Sequence, residues 1–143
     1  ASLLNPPADR TLIAEAVAAA VKDSRDGKPG SVVDLISKNL VINDQTAQGD
    51  PRQVSEFIRK ARPDVKIERP DPTITGDEAR IVSPVTLEAS FLGQRMERRM
   101  GEVTLVLRKE EDREWLLFPR KNWKLVEVRV PETSIADLVS PGF

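Results

Sequence analysis

The chain has no cysteine, no histidine and no tyrosine. Without cysteine there are no disulfides, no thiolate zinc sites and no thiol redox chemistry. Without histidine there is no imidazole base, no His-dependent triad and no imidazole metal ligand. Without tyrosine no phenol lines a pocket. Most hydrolytic and oxidative mechanisms therefore lose their usual side chains before any motif is considered. A carboxylate-only metal site remains allowed, but no D-x-D-x-D-G loop occurs, and no cofactor is expected. Long apolar runs are missing as well, so no segment is expected to span a membrane, and no signal-peptide pattern is visible. A strong charge of either sign is also absent: 22 Lys and Arg stand against 23 Asp and Glu, for a net charge of −1. That balance argues against nucleic acid and against bulk attraction to an anionic membrane, a local patch excepted.

What remains is the make-up of an ordinary globular domain, with 143 residues, 39% hydrophobic and 31% charged. That length suits one domain over 1–143, with an extended lead-in at 1–8 and a C-terminal tail at 132–143. The chain opens on Ala1-Ser2-Leu3-Leu4 rather than Met. This fits a mature form released from a leader as well as a trimmed chain, and the lack of Cys suits a secreted or a cytoplasmic protein.

Helical spacing dominates the first third. Asp9 reads as the cap of a helix running to about Arg25, with Ile13, Val17, Ala20 and Val21 on one face, and Gly27-Lys28-Pro29-Gly30 ends it. Ser31 reads as the cap of a short second helix with Val32, Leu35, Ile36 and Leu40 on its apolar side. Asn39–Asn43 fits either its frayed end or a short extended piece, and 44–50 reads as a loop. Asp50-Pro51 opens a third helix, in which Val54, Phe57, Ile58 and Ala61 repeat at helical spacing until Arg62-Pro63.

From Asp64 the period falls to two residues. Short runs at 64–68 and 73–75 precede a long one from Ala79 to Phe91, broken at Ser83-Pro84, where Pro should sit at an edge or a bulge. Leu92-Gly93-Gln94 reads as a hairpin turn into Arg95–Lys109. In that strand Val103, Leu105 and Leu107 share one face and Met100, Thr104 and Val106 the other, which predicts a central strand covered on both sides. Glu110-Glu111-Asp112-Arg113 reads as a charged turn into a last run from Glu114 to Val130. That run is interrupted by Pro119, and the parity switch at Leu125 and Val126 predicts a bulge and a bend.

Three helices before a meander of long strands is an α+β order. With the breaks at Ser83-Pro84 and Pro119 and the W-L-L-F…W-K-L-V-E-V close, nearly the whole chain resembles the NTF2-like (cystatin-like) superfamily. The resemblance implies three N-terminal helices packed on a strongly curved mixed or antiparallel sheet, wrapped as a cone around the first helix, with a pocket inside. The superfamily includes ketosteroid-isomerase-like enzymes, epoxide hydrolases, small-molecule binders, transport adaptors and assembly domains, so it implies a pocket more than a reaction. Its isomerases use an Asp base with a Tyr and a protonated Asp. This chain has no Tyr, and no residue is carried over from that motif.

Three features could carry function. Arg95, Arg98, Arg99, Arg120, Lys121 and Lys124 would form a basic patch beside Trp123 if the 110–113 turn sets residue 98 near 124, and Arg98 and Lys124 would then meet an anionic ligand. The plainer account is cross-strand pairing with Glu88, Glu97 and Glu127. Glu88, Glu102, Glu127 and Asp34 are carboxylates that could act as acid or base if buried in the cone with a raised pKa, Glu127 and Asp34 being the candidate catalytic residues; the plainer account for the set is a solvated face, which alternation favours for Glu88. Trp115 and Trp123 could line a ligand site, although tryptophans in so small a domain more commonly build core. The preferred reading is a non-catalytic module that binds a small apolar ligand or a protein partner, or forms a homodimer through the sheet face turned from the helices. A pocket enzyme of the ketosteroid-isomerase-like type, using a buried carboxylate, is the alternative. An anion-binding module is the third reading.

Overall fold

The structure is a computed structural model that describes residues 8–46, 50–112 and 120–131. The lead-in at 1–7, Trp115, Pro119, the cap assigned to Ser134 and the tail at 132–143 lie outside the described residues.

Helix α1 spans Asp9–Arg25 and buries Ile13, Ala20 and Ser24. Its cap position is held by Ala8, with no side-chain bond, rather than by Asp9. Asp9 instead sits in the first turn and accepts the indole N–H of Trp123 at 3.2 Å. Helix α2 covers only Gly30–Leu35, and Ile36 and Leu40, expected on its apolar side, belong to strand β1, Ile36–Ile42. Pairing with a neighbouring strand overrides the helical spacing there, as commonly happens for short β-branched runs. The polar stretch that follows, expected to be loop, holds a hairpin. Asn43 and Asp44 take φ of 48° and 68° in a two-residue turn, and β2 (Gln45–Thr46) folds back on Val41 and Ile42. Asn and Asp are the residues that tolerate this left-handed geometry best after Gly.

Helix α3 (Pro51–Ala61) begins and ends where its sequence predicts. The Asp50 carboxylate accepts the Arg52 N–H at 2.9 Å, Pro51 opens the first turn, and Arg62 closes the helix in the left-handed region. Strands β3 (Asp64–Ile67), β4 (Thr73–Thr75), β5 (Glu78–Phe91), β6 (Gln94–Asp112) and β7 (Arg120–Arg129) follow. They build a seven-stranded sheet ordered β2-β1-β7-β6-β5-β3, with β4 beside β5. β1 runs parallel to β7 and every other described pair is antiparallel, so the sheet is mixed.

Pro84 does not break β5. Glu68 donates its N–H to the Pro84 carbonyl at 3.2 Å, so that edge of Pro84 faces the space between the β3 and β4 pairings. A residue in extended conformation directs its N and O to the same side, so the missing N–H falls in that space and the ladder to β6 loses nothing.

The expected strongly curved cone is not what the chain builds. The strand path has two ends, β2 and β3, that do not meet, and the sheet is neither closed nor strongly curled. Register shifts occur at Val85/Thr86, Val106/Leu107 and Ile36/Val41. Each bends one pair locally, while the β5–β6 ladder still runs from Glu78↔Arg108 to Phe91↔Gln94. The bulge predicted at Leu125 and Val126 is present, because Leu107 faces Leu125 and Val106 faces Glu127 with Val126 unmatched.

The charged stretch from Glu110 is not a turn either. Glu110, Glu111 and Asp112 extend β6 opposite Asn122, Lys121 and Arg120. The register between these strands moves accordingly.

The core lies between α1 and the sheet, where Ile13, Ala79, Ile81, Leu107 and Trp123 form one buried cluster. A second cluster joins Val85, Met100 and Val103. Met100, expected on the opposite face from Val103, reaches the same cluster because the bulge beside Gly101 (φ 74°) resets the alternation. β6 is central, but of its expected second apolar face Val106 is the one buried aliphatic residue left among the described residues. No helix among the described residues is long and apolar enough to cross a membrane.

Candidate functional site

Pairing places every residue of the central strands on one of two surfaces. Leu105, Leu107 and Lys109 turn toward the helices with Trp123 and Leu125. Thr104, Val106, Arg108 and Glu110 turn away with Glu127 and Arg129.

Among the described residues the helix side carries the core. Ile13 has no exposed surface and inserts among Ala79, Ile81, Leu107 and Trp123. Trp123 is core, and it is also a clamp. Its N–H meets Asp9, Lys109 pairs with Asp9 at 3.1 Å, and the Lys109 ammonium lies 5.4 Å from the centroid of the indole ring. One acid at the start of α1 thereby fixes the helix to β6 and β7. The buried polar residues among those described are Ser24, Ser37 and Ser83, and no carboxylate is among them.

The outer side carries an open groove of about 340 Å³ across β1, β7 and β6, lined by Asn39, Val41, Asp44, Arg108, Glu110, Val126, Glu127 and Arg129. Its charges are largely paired. Arg108 bonds Glu78 at 3.1 Å, and Ser37 donates to Glu110 at 3.1 Å. Arg129 reaches Glu127 at 2.7 Å and also bonds Asp44 in the β1–β2 turn. The Arg129 pKa is raised above its ordinary value, first by the hydrogen bond it donates to Asp44, then by the charges of Asp44 and Glu127. Asn43 closes the end of the groove-bearing strands. Its amide donates to the Val130 carbonyl and accepts the Val130 N–H, both at 2.8 Å, while its own N–H meets Val128 at 3.0 Å.

The predicted site residues scatter. Glu127 lines the outer groove rather than a helix-side interior. Asp34 is exposed on α2, and its backbone carbonyl, not its carboxylate, accepts the Lys124 ammonium. Lys124 lies opposite Arg108, and Arg98 lies opposite Leu87 on β5, so the expected pairing of 98 with 124 does not form. Arg98 and Lys124 therefore share no patch, and the side chains of Arg120 and Lys121 lie outside the described residues. The ion pairs form with other partners than expected, Glu88 with Arg95 at 3.0 Å and Glu127 with Arg129. The groove residues missed in sequence were Asn39, Asp44, Arg108, Glu110 and Arg129. Alternation of Arg108 with Glu110 and of Glu127 with Arg129 was the available signal, hidden by the misplaced turn.

No protein-family model matches the chain, and neither does any curated protein. Solved structures do. A putative calcium/calmodulin-dependent kinase II association domain from Exiguobacterium sibiricum is 11% identical, covering 89% of this chain and 95% of its own, with a TM-score of 0.66. An NTF2-like superfamily protein from Salmonella enterica is 16% identical over 85% and 88%, with a TM-score of 0.58. A ketosteroid isomerase-like protein from Erwinia carotovora atroseptica is 13% identical over 87% and 96%, with a TM-score of 0.57. Together with the helix order and the mixed sheet, these likenesses show that the chain has an NTF2-like fold.

Proposed function

We propose that residues 1–143 act as one non-catalytic module that binds or assembles through the outer surface of its sheet. The carrying observation is the packed core on the helix side among the described residues. Among the described residues, Ile13, Ala79, Ile81, Leu107 and Trp123 occupy the space that a ligand would need. The groove on the other face is open, and apart from Val41 and Val126 its lining is polar. That lining suits a protein surface better than a small apolar ligand. Its alternating charges suit a second copy of the chain, since a two-fold contact sets acids of one copy against bases of the other. Association and hub domains among the structural neighbours agree with this reading.

A pocket enzyme working through Glu127 or Asp34 has less support, because Glu127 is paired with Arg129 and Asp34 is exposed. Anion binding by Arg98 with Lys124 has less still, given their separation. Sedimentation equilibrium over a wide concentration range tests the assembly reading. The mass should rise toward twice that of the monomer, and Arg108→Glu should weaken the rise. A strict monomer at the highest concentrations would refute it.

A further inference from the structure

The hairpin joining β5 to β6 carries the most exposed large apolar side chain among the described residues. Leu92 is 104% exposed at the turn, Phe91 48% and Met96 39% exposed beside it, and Phe57 of α3 is 44% exposed. Phe57 and Phe91 pack with ring centroids 6.3 Å apart, so the helix and the hairpin present one apolar tip. Arg95 fixes their relation. It donates to the carbonyls of Ala61 and Arg62 at the end of α3 and to Ser90, each within 3.1 Å, and pairs with Glu88. The tip is thus held rigidly out from the body.

The charge behind it is net positive. Glu88 is taken by Arg95 and Glu56 by Lys60. Among the described residues Arg59, Arg98 and Arg99 form no ion pair, and Glu97 and Asp64, both opposite Glu88, are the acids near them that form none. Along the hairpin, Leu87↔Arg98 lies four residues behind Phe91↔Gln94, about 13 Å at the usual strand rise. Arginine side chains reach part of that distance forward.

We propose that this tip docks on an anionic lipid bilayer, with Leu92, Phe91, Met96 and Phe57 entering the interface and Arg98, Arg99 and Arg59 meeting the headgroups. The spacing fits. Apolar side chains at a membrane surface enter by roughly 5–10 Å, which brings cations set behind them to headgroup level. A convex tip needs no matching concavity, whereas a protein partner would have to supply one. A second copy is disfavoured by the like charges it would bring. This docking uses a different surface from the sheet groove and stands without it.

The test is co-sedimentation of the whole chain with phosphatidylcholine vesicles, with and without phosphatidylglycerol. Binding should require phosphatidylglycerol, weaken with added salt, and fall by about tenfold or more in Leu92→Asp and in the Arg98→Gln/Arg99→Gln pair. These positions lie outside the core clusters, and an unchanged melting temperature will confirm that the variants fold. Because the chain has no Cys, Leu92→Cys gives a single site for an environment-sensitive dye. Its emission should shift to the blue on anionic vesicles, whereas a dye at Glu15→Cys on α1 should not shift. The proposal is overturned by absence of binding to anionic vesicles, by equal binding to neutral ones, by full binding of Leu92→Asp, or by an unshifted dye at position 92.

Discussion

Replacing Asn43 with Gly removes a side-chain amide that continues the pairing of β1 with β7 past the last residue of β1. The amide makes two bonds to Val130, both 2.8 Å long, from a half-buried position. At about 1 kcal/mol each, their loss should cost about 2 kcal/mol. For a chain of this size that lowers the melting temperature by about 6–8 °C. Gly is the informative choice because Asn43 sits at φ 48°, a geometry Gly adopts without strain. Asn43→Ala loses the same bonds and adds strain, so it should be destabilised by about 1 kcal/mol more. Urea unfolding followed by circular dichroism measures both, and the slope against denaturant should not change. Hydrogen exchange should localise the effect to the β1–β2 turn and the end of β7. If Asn43→Gly unfolds within about 0.5 kcal/mol of the parent, the amide contributes nothing and the account of how β1 is held is wrong.

Ile13→Ala should cost about 2–5 kcal/mol in the same assay, since the side chain has no exposed surface and lies at the centre of the core cluster; a cost under about 1 kcal/mol would mean the helix side is loosely packed. Trp123→Phe keeps a ring but loses the N–H to Asp9, for about 1 kcal/mol, and an Asp9→Ala/Trp123→Phe double variant should cost less than the sum of the single changes. Arg95→Gln should speed amide exchange in the last turn of α3 and in the β5–β6 hairpin while leaving β7 protected, and uniform exchange would contradict the clamp. An arginine whose folded pKa is raised above its unfolded value adds its stability below the unfolded value and loses it only as pH rises through the folded one. The Arg129 pKa is raised above its ordinary value by Asp44 and Glu127, so Arg129→Gln and the parent should show parallel melting profiles between about pH 6 and 9, and diverging slopes there would refute the pairing.

Much of the fold was legible in local chemistry. Asp50-Pro51 and Arg62-Pro63 bounded α3 because a cap, an N1 proline and a pre-proline stop act within a few residues. The parity switch at Val126 exposed a bulge for the same reason, since alternation is read residue by residue. What failed was non-local. Ile36 and Leu40 have helical spacing, but pairing with β7, distant in sequence, made them a strand. The charges at 110–112 look like a turn, and only the register with Arg120–Asn122 shows them to be strand. That single misreading moved Arg98 away from Lys124 and hid the partners of Glu127. The outer groove was illegible for the same reason, because its lining comes from β1, the β1–β2 turn, β6 and β7 at once.

The bulge in β7 gives that strand something like a reading frame. Upstream of Val126, Leu125 points to the helices, and downstream Glu127 points away. Elsewhere in β7, loss of one residue would invert every side chain beyond it, sending charge into the core and Val128 out. Loss of Val126 alone would erase the bulge and leave Leu125 opposite Leu107 and Glu127 opposite Val106. The strand can therefore shed a residue there without changing which side chain faces which way, and length variation in this wall is expected to collect at that position.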